Sequence, residues 1–165
     1  MKIFFGIVII GMLLALESGD FNYKFEPHLE YKKNKVYTSN LIDTSPDIDG
    51  LLVEECWNDL NLLSESEFVI SDFMQDEPNN LSSPTFQMLV KILHDNNYIY
   101  VAAKLFDPDP SKITSQLSRR DEWDMMSSDA FLIEFDSMHD HQTSYFFGVN
   151  SSGVQVDGIT FLDFD

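Results

Sequence analysis

FQMLVKILHDNNYIYVAAKLF, residues 86–106, is the stretch on which the fold turns. Two runs rich in apolar and aromatic residues, 86–94 and 98–106, flank Asp95-Asn96-Asn97, a triplet suited to a short reversing turn. The pair reads as a β-hairpin. In the second run Tyr98, Tyr100, Ala102 and Phe106 fall on one face, and Ile99, Val101, Ala103 and Leu105 on the other. Only Lys104 interrupts the apolar character. A strand apolar on both faces is expected at the centre of a sheet, with a layer on each side.

The same alternation recurs downstream. Residues 130–136 and 143–150 form a second hairpin-like pair across 137–142, and 154–156 and 159–164 follow, punctuated by Gly153 and Gly158. Upstream, 36–38 and 67–71 are short strand candidates. Between them Leu52, Cys56, Trp57 and Leu60 recur at helical spacing, after a tight turn expected at Asp49-Gly50. Residues 72–84 are rich in Asp, Asn, Ser and Pro and read as a loop. Short strands separated by turn signals predict an all-β, antiparallel β-sandwich of immunoglobulin or jelly-roll kind, with one or two short helical turns.

The 165 residues suit one domain, and 44% hydrophobic content with 14 Phe and 6 Tyr suffices for a core. A formal charge of −18, from 28 acidic and 10 basic residues, argues against nucleic acid or an anionic membrane surface as partner. At the N-terminus Lys2 precedes an uncharged apolar run, 3–16, broken by Glu17, Ser18 and Gly19. Residues 1–19 therefore read as a secretion signal, the apolar run being shorter than a membrane span needs, with an uncleaved N-terminal anchor as the alternative because no A-x-A cleavage site is present. The polar residues 20–37 read as a leader or linker, and 38–165 as the folded module. The single cysteine, Cys56, excludes an internal disulfide and a cysteine-rich zinc site.

Several punctuation points together resemble the family 9 carbohydrate-binding module. The resemblance is to the copy at the N-terminus of a bacterial family that ends in an outer-membrane β-barrel. The matching pieces are Ile48-Asp49-Gly50 with Leu52, Glu54 and Trp57; Phe73, Gln75 and Pro78; Leu93 with Asp95; Tyr98 to Val101; and Phe106-Asp107-Pro108-Asp109-Pro110 with Ile113. They continue through Arg119-Arg120-Asp121, Ser128-Asp129, and Tyr145 to Asn150 with Gly153, Asp157 and Gly158. The resemblance implies a secreted or cell-envelope β-sandwich that binds polysaccharide chain ends through aromatic side chains, often beside a glycoside hydrolase. Two departures stand out. Thr85, Phe86, Gln87 and Met88 replace the usual pattern after Pro84, and the chain reaches Asp165 before the strands that normally finish the module. The sandwich is therefore expected to be incomplete, with outer-membrane association belonging to a missing C-terminal region.

Candidate ligand residues cluster after the Asp-Pro run. Trp123 lies in a polar loop with few apolar neighbours, so an exposed indole that stacks on sugar rings is expected there. Trp57, at helical spacing with Leu60, reads instead as a core plug. Arg119, Arg120 and Asp121 either hydrogen-bond sugar hydroxyls or form an internal salt bridge to Asp107, Asp109 or Asp129; both readings stand on the sequence. Tyr145 and Phe147 share a strand face and read as core, with the Tyr145 hydroxyl reaching toward a ligand. Asp107 and Asp109 are the candidate calcium pair, calcium being the one cofactor in view, although such a run more often makes a rigid corner. His139-Asp140-His141 reads as a solvated loop.

No nucleophile elbow, phosphate-binding loop or dinucleotide fingerprint is present, and no acidic pair stands in a defensible glycosidase pattern. The expectation is a non-catalytic module that binds a polysaccharide or oligosaccharide. The alternative is a periplasmic or surface interaction domain of a barrel protein, without sugar binding.

Overall fold

The computed structural model describes residues 37–62, 68–75, 78–122, 127–140 and 142–161. Among the described residues, six strands in two three-stranded sheets account for most of the regular structure, with little helix. The chain divides at Lys112 into two compact units. The expected secretion signal, the expected leader apart from Tyr37, and Trp123 among the candidate residues lie outside the described residues. Among the described residues no helix is long and apolar enough to cross a membrane.

In the unit Tyr37–Lys112 the hairpin forms as read. Strand β2, Met88–His94, pairs antiparallel with β3, Ile99–Leu105, in unbroken register from Met88 opposite Leu105 to His94 opposite Ile99. Asp95 closes the turn. Its Oδ1 accepts hydrogen bonds from the N–H groups of Asn97 and Tyr98 at 2.6 and 2.7 Å, an Asx arrangement that substitutes for backbone acceptors. A short strand β1, Asn40–Leu41, joins the far side of β2 in parallel, two residues beyond the expected 36–38 candidate.

That pairing corrects one expectation. The sheet order is β1-β2-β3, so β2 is central and β3 lies at the edge. Five consecutive residues of β2, from Leu89 to Leu93, are buried, whereas Ile99 and Leu105 of β3 are exposed. Both strands are apolar on both faces, so only the partner strand from fifty residues upstream decides which is interior. The 67–71 candidate reduces, among the described residues, to one antiparallel bridge between Ile70 and Val90, with hydrogen bonds of 2.8 and 2.9 Å.

A 3-10 turn, Glu55–Trp57, leads into a short helix α1, Asn58–Leu62. Before it, Asp49 and Gly50 make the expected tight turn: Gly50 has φ of 81°, and Asp49 Oδ1 accepts from the Leu51 N–H at 2.8 Å. The spacing read from the sequence places Trp57 and Leu60 inward, and both are buried with Val69, Leu89, Leu93 and Ala102. Burying each large apolar side chain contributes roughly 1.5–3 kcal/mol. Lys91 lies on the same sheet face as Leu89 and Leu93 and is itself buried. Its ammonium donates to Asp59 Oδ2 of α1 at 2.6 Å, so the charge enters the core already paired.

The second unit, from Ile113, holds an antiparallel meander of β4, Ala130–Phe135, β5, Thr143–Asn150, and β6, Gln155–Phe161. The β4–β5 pair runs as expected, from Ala130 opposite Asn150 to Phe135 opposite Tyr145. Between them Asp140 Oδ1 accepts from the N–H groups of Gln142 and Thr143, both at 2.8 Å. The two expected final segments are one strand: β6 passes straight through Gly158, which lies opposite Phe146. A Cβ at Gly158 would stand 2.6 Å from the Phe146 ring. This glycine is a packing choice, not a turn.

Phe146, Val154 and Val156 form the core of this unit, with Leu132 against them. The opposite face of the sheet carries Phe131, Ile133 and Phe135, then Tyr145, Phe147 and Val149, then Ile159 and Phe161. Phe147 packs edge-on against Phe135 with ring centroids 6.2 Å apart. Tyr145 and Phe147 do share a face, but they are 40% and 49% exposed, so neither is core. Alternation along β5 assigned the pair to one side; Phe146 and Val156 cluster with Val154 on the other, while on the pair's own side Ile133 is the buried residue.

Candidate functional site

The Asp-Pro run is a corner. Asp107 Oδ1 accepts from the Asp109 N–H at 2.7 Å, and the 3-10 turn Pro110–Lys112 follows. Asp109 Oδ1 accepts from the Ser111 hydroxyl at 2.5 Å, while its Oδ2 pairs with Lys112 at 3.0 Å. The Ser111 hydrogen bond first, and that of Lys112 second, hold the Asp109 carboxyl below the usual carboxylate range. Of the calcium candidates, Asp107 thus gives one carboxylate oxygen to the turn and Asp109 both. Among the described residues no group of three or more His, Cys, Asp or Glu side chains gathers within metal-binding reach.

After the corner the chain runs extended from Ile113, and side chains fasten it. Thr114 exchanges hydrogen bonds with Asp129: its N–H donates to Oδ2, and its carbonyl accepts from the Asp129 N–H, each at 2.9 Å. The Gln116 N–H donates to Ser128 Oγ at 2.8 Å, and the Gln116 carbonyl accepts from Asn150 Nδ2 at 2.9 Å. Asn150 is buried, and its Oδ1 also accepts from the Ser152 and Val154 N–H groups at 3.0 and 2.9 Å. Ser128, Asp129 and Asn150 thus act as fasteners for the segment leading to Arg119.

Arg119, Arg120 and Asp121 then separate in role. The Arg119 side chain is 91% exposed, with an ion pair of 3.9 Å to Glu122. Arg120 turns to β6: Nη2 hydrogen-bonds to Asp157, Nη1 donates to Gln155 Oε1 at 3.4 Å, and Nε lies 3.4 Å from Asp121 Oδ2. Asp157 first, and Asp121 second, raise the guanidinium's affinity for its proton. Asp121 has a left-handed backbone, φ 63°. Its N–H donates to the Gln155 carbonyl at 3.1 Å, and its Oδ1 accepts from the Asp157 N–H at 3.2 Å. The salt-bridge reading of this triplet therefore holds for Arg120, but the partner is Asp157, not Asp107, Asp109 or Asp129.

Beside this contact lies an open groove of about 330 Å³, lined by Leu117, Ser118, Arg120, Ser152, Val154 and Gln155 together with Gly153. Leu117 is 82% exposed on its rim. Of the sequence candidates among the described residues, only Arg120 lines it, and Tyr145 does not. The residues that sequence reasoning passed over are Leu117, Gln155 and Asn150. Leu117 and Gln155 carry no signal beyond their proximity in sequence to Arg120 and Asp157, because the groove forms only when the 117–121 segment meets the start of β6. Asn150 was visible as a polar residue ending an apolar strand beside Gly153, which is a turn signal.

The chain matches no protein-family model, no curated protein and no solved structure.

Proposed function

We propose that this chain is a secreted, non-catalytic module that binds a polysaccharide or oligosaccharide, and that the groove beside Arg120 is where it does so. One observation carries the reading: a shallow groove joins an exposed apolar side chain, Leu117, to Arg120, Gln155, Ser118 and Ser152. A pyranose ring needs that combination, an apolar surface for its C–H face and donors and acceptors for its hydroxyls. Arg120 is already neutralised by Asp157 and Asp121, which favours neutral sugars over uronic acids in a chain of charge −18. An open groove buries little area, so affinity is weak to moderate.

The test is affinity electrophoresis of the folded chain through gels carrying a panel of neutral and acidic polysaccharides. Retardation by at least one neutral polysaccharide is expected, reduced about tenfold by Leu117→Ala and Arg120→Ala, about 1.4 kcal/mol each. A folded chain that no polysaccharide retards refutes the proposal.

The same reading includes the antiparallel β-sandwich, which requires a second layer over the half-exposed apolar strip of Phe135, Tyr145, Phe147, Val149 and Ile159. A second reading rests on the exposure of that strip: a surface or periplasmic interaction domain that docks a partner protein there, without sugar binding. Phe147→Ser separates them. Loss of about 2 kcal/mol in chemical denaturation is expected for an interior Phe147 that keeps part of its surface in water, and unchanged stability for a docking face.

A further inference from the structure

The outer edge of β6 is closed at one end and open in character at the other. The Gln155 carbonyl and the Asp157 N–H both point away from β5, since both bond to Asp121. Backbone groups alternate direction along a strand, so those of Ile159 and Phe161 point outward too. Asp121 stands where a neighbouring strand would stand. Its N–H replaces that strand's donor, and its carboxylate oxygen replaces the acceptor. The left-handed φ of 63° is a conformation Asp adopts more readily than most side chains. Arg120 clamps the arrangement by bonding to the side chains of the same two residues, Gln155 and Asp157.

Past this contact β6 continues as Gly158-Ile159-Thr160-Phe161, without a charge, and Ile159 and Phe161 are 46% and 69% exposed. An uncharged, β-prone edge with exposed apolar side chains is a template for another strand. We infer that Arg120 and Asp121 are an edge guard, which keeps β6 from adding to β6 of a second copy of this chain. A second copy is the occupant the geometry favours. Two such edges pair antiparallel about a two-fold axis, each supplying the donors and acceptors the other needs, and the uncharged stretches 158–161, which lie between Asp157 and Asp163, then meet. The inference is independent of any ligand in the groove.

The test is sedimentation velocity on the full chain, at low salt and at about 1 M NaCl, where screening to about 3 Å removes the repulsion between two acidic copies. The wild-type chain and Asp121→Asn, which keeps an Oδ1 acceptor and tolerates left-handed φ, are expected to sediment identically. The Arg120→Ala/Asp121→Ala double variant is expected to shift toward twice the mass at high salt, and its Ile159 and Phe161 amides to gain hydrogen-exchange protection in the associated species. A double variant with a wild-type circular dichroism spectrum and unchanged sedimentation overturns the inference, and so does association that leaves the Ile159 amide unprotected. If the double variant does not fold, Arg120→Lys carries the test. It keeps the charge and loses the fork, so a smaller shift is expected and an unchanged mass refutes the guard.

Discussion

In the unit Tyr37–Lys112, six buried apolar side chains from the 3-10 turn, the helix, the Ile70 segment and two strands meet in one core, whereas in the described part of the second unit the cluster is Phe146, Val154 and Val156, with Ile133 buried on the other face of the sheet. The second unit makes up the difference with polar fasteners. Asn150, Ser128 and Asp129 hold the 113–118 segment, and Arg120 and Asp121 hold the next one to β6. The contrast separates two ways of supporting a surface. Apolar burial is non-directional and sets only which side of a strand is inside, while hydrogen bonds are directional and set where individual side chains stand. The groove belongs to the unit built the second way.

The largest expected effect breaks the first unit. Asp59→Ala leaves the Lys91 ammonium buried without its carboxylate, and a loss of about 3 kcal/mol in urea denaturation is expected. That is the low end for a broken buried pair, because the Asp59 side chain keeps 35% of its surface in water. Adding Lys91→Met is expected to restore most of it, since an apolar side chain of similar length suits the site; no recovery would show that Lys91 does more than fill it.

A smaller loss is expected in the second unit from Asn150→Ala. The Ser152 and Val154 N–H groups and the Gln116 carbonyl lose their partner, at about 2 kcal/mol. The comparison predicts more than a lower midpoint: the amides of residues 113–118 should exchange faster while β2 and β3 keep their protection. Uniform acceleration in both units would remove the distinction between them.

The smallest effect is a pH dependence at the β2–β3 hairpin. The Asn97 N–H first, then the Tyr100 hydroxyl, hold the exposed Asp95 carboxyl below its ordinary range. A depressed folded pKa means that the stability is present above the unfolded value, about 3.9, and is lost as pH falls through the folded one. The carboxyl carbon of Asp95, followed by NMR, should therefore titrate below that ordinary value, and Tyr100→Phe should move the midpoint up. A midpoint at or above it would mean that the turn does not depend on the ionised form.

Much of the local structure was legible in the chain. The hairpin around Asp95, the 130–150 pair, the inward Trp57 and the Asp-Pro corner all follow from alternation, helical spacing and proline, each acting within a few residues. The central position of β2 was not legible, because β2 and β3 are equally apolar and the deciding strand is Asn40–Leu41. Nor was the continuity of β6 through Gly158, because a glycine that makes room for Phe146 has the same letter as one that turns the chain. The groove was half legible: Arg120 stood out among few basic residues, but its choice of Asp157 among 28 acids depends on a contact 37 residues away.

The sequence by itself determined the β-rich class, the positions of the turns and the acidic surface, since propensity, period and charge are properties of neighbouring residues. Only the tertiary structure decided which strand is central, which face of β5 carries the unit's core, and that Arg120 and Asp121 close the edge of β6. Those outcomes rest on which distant segments meet, and no local period records that.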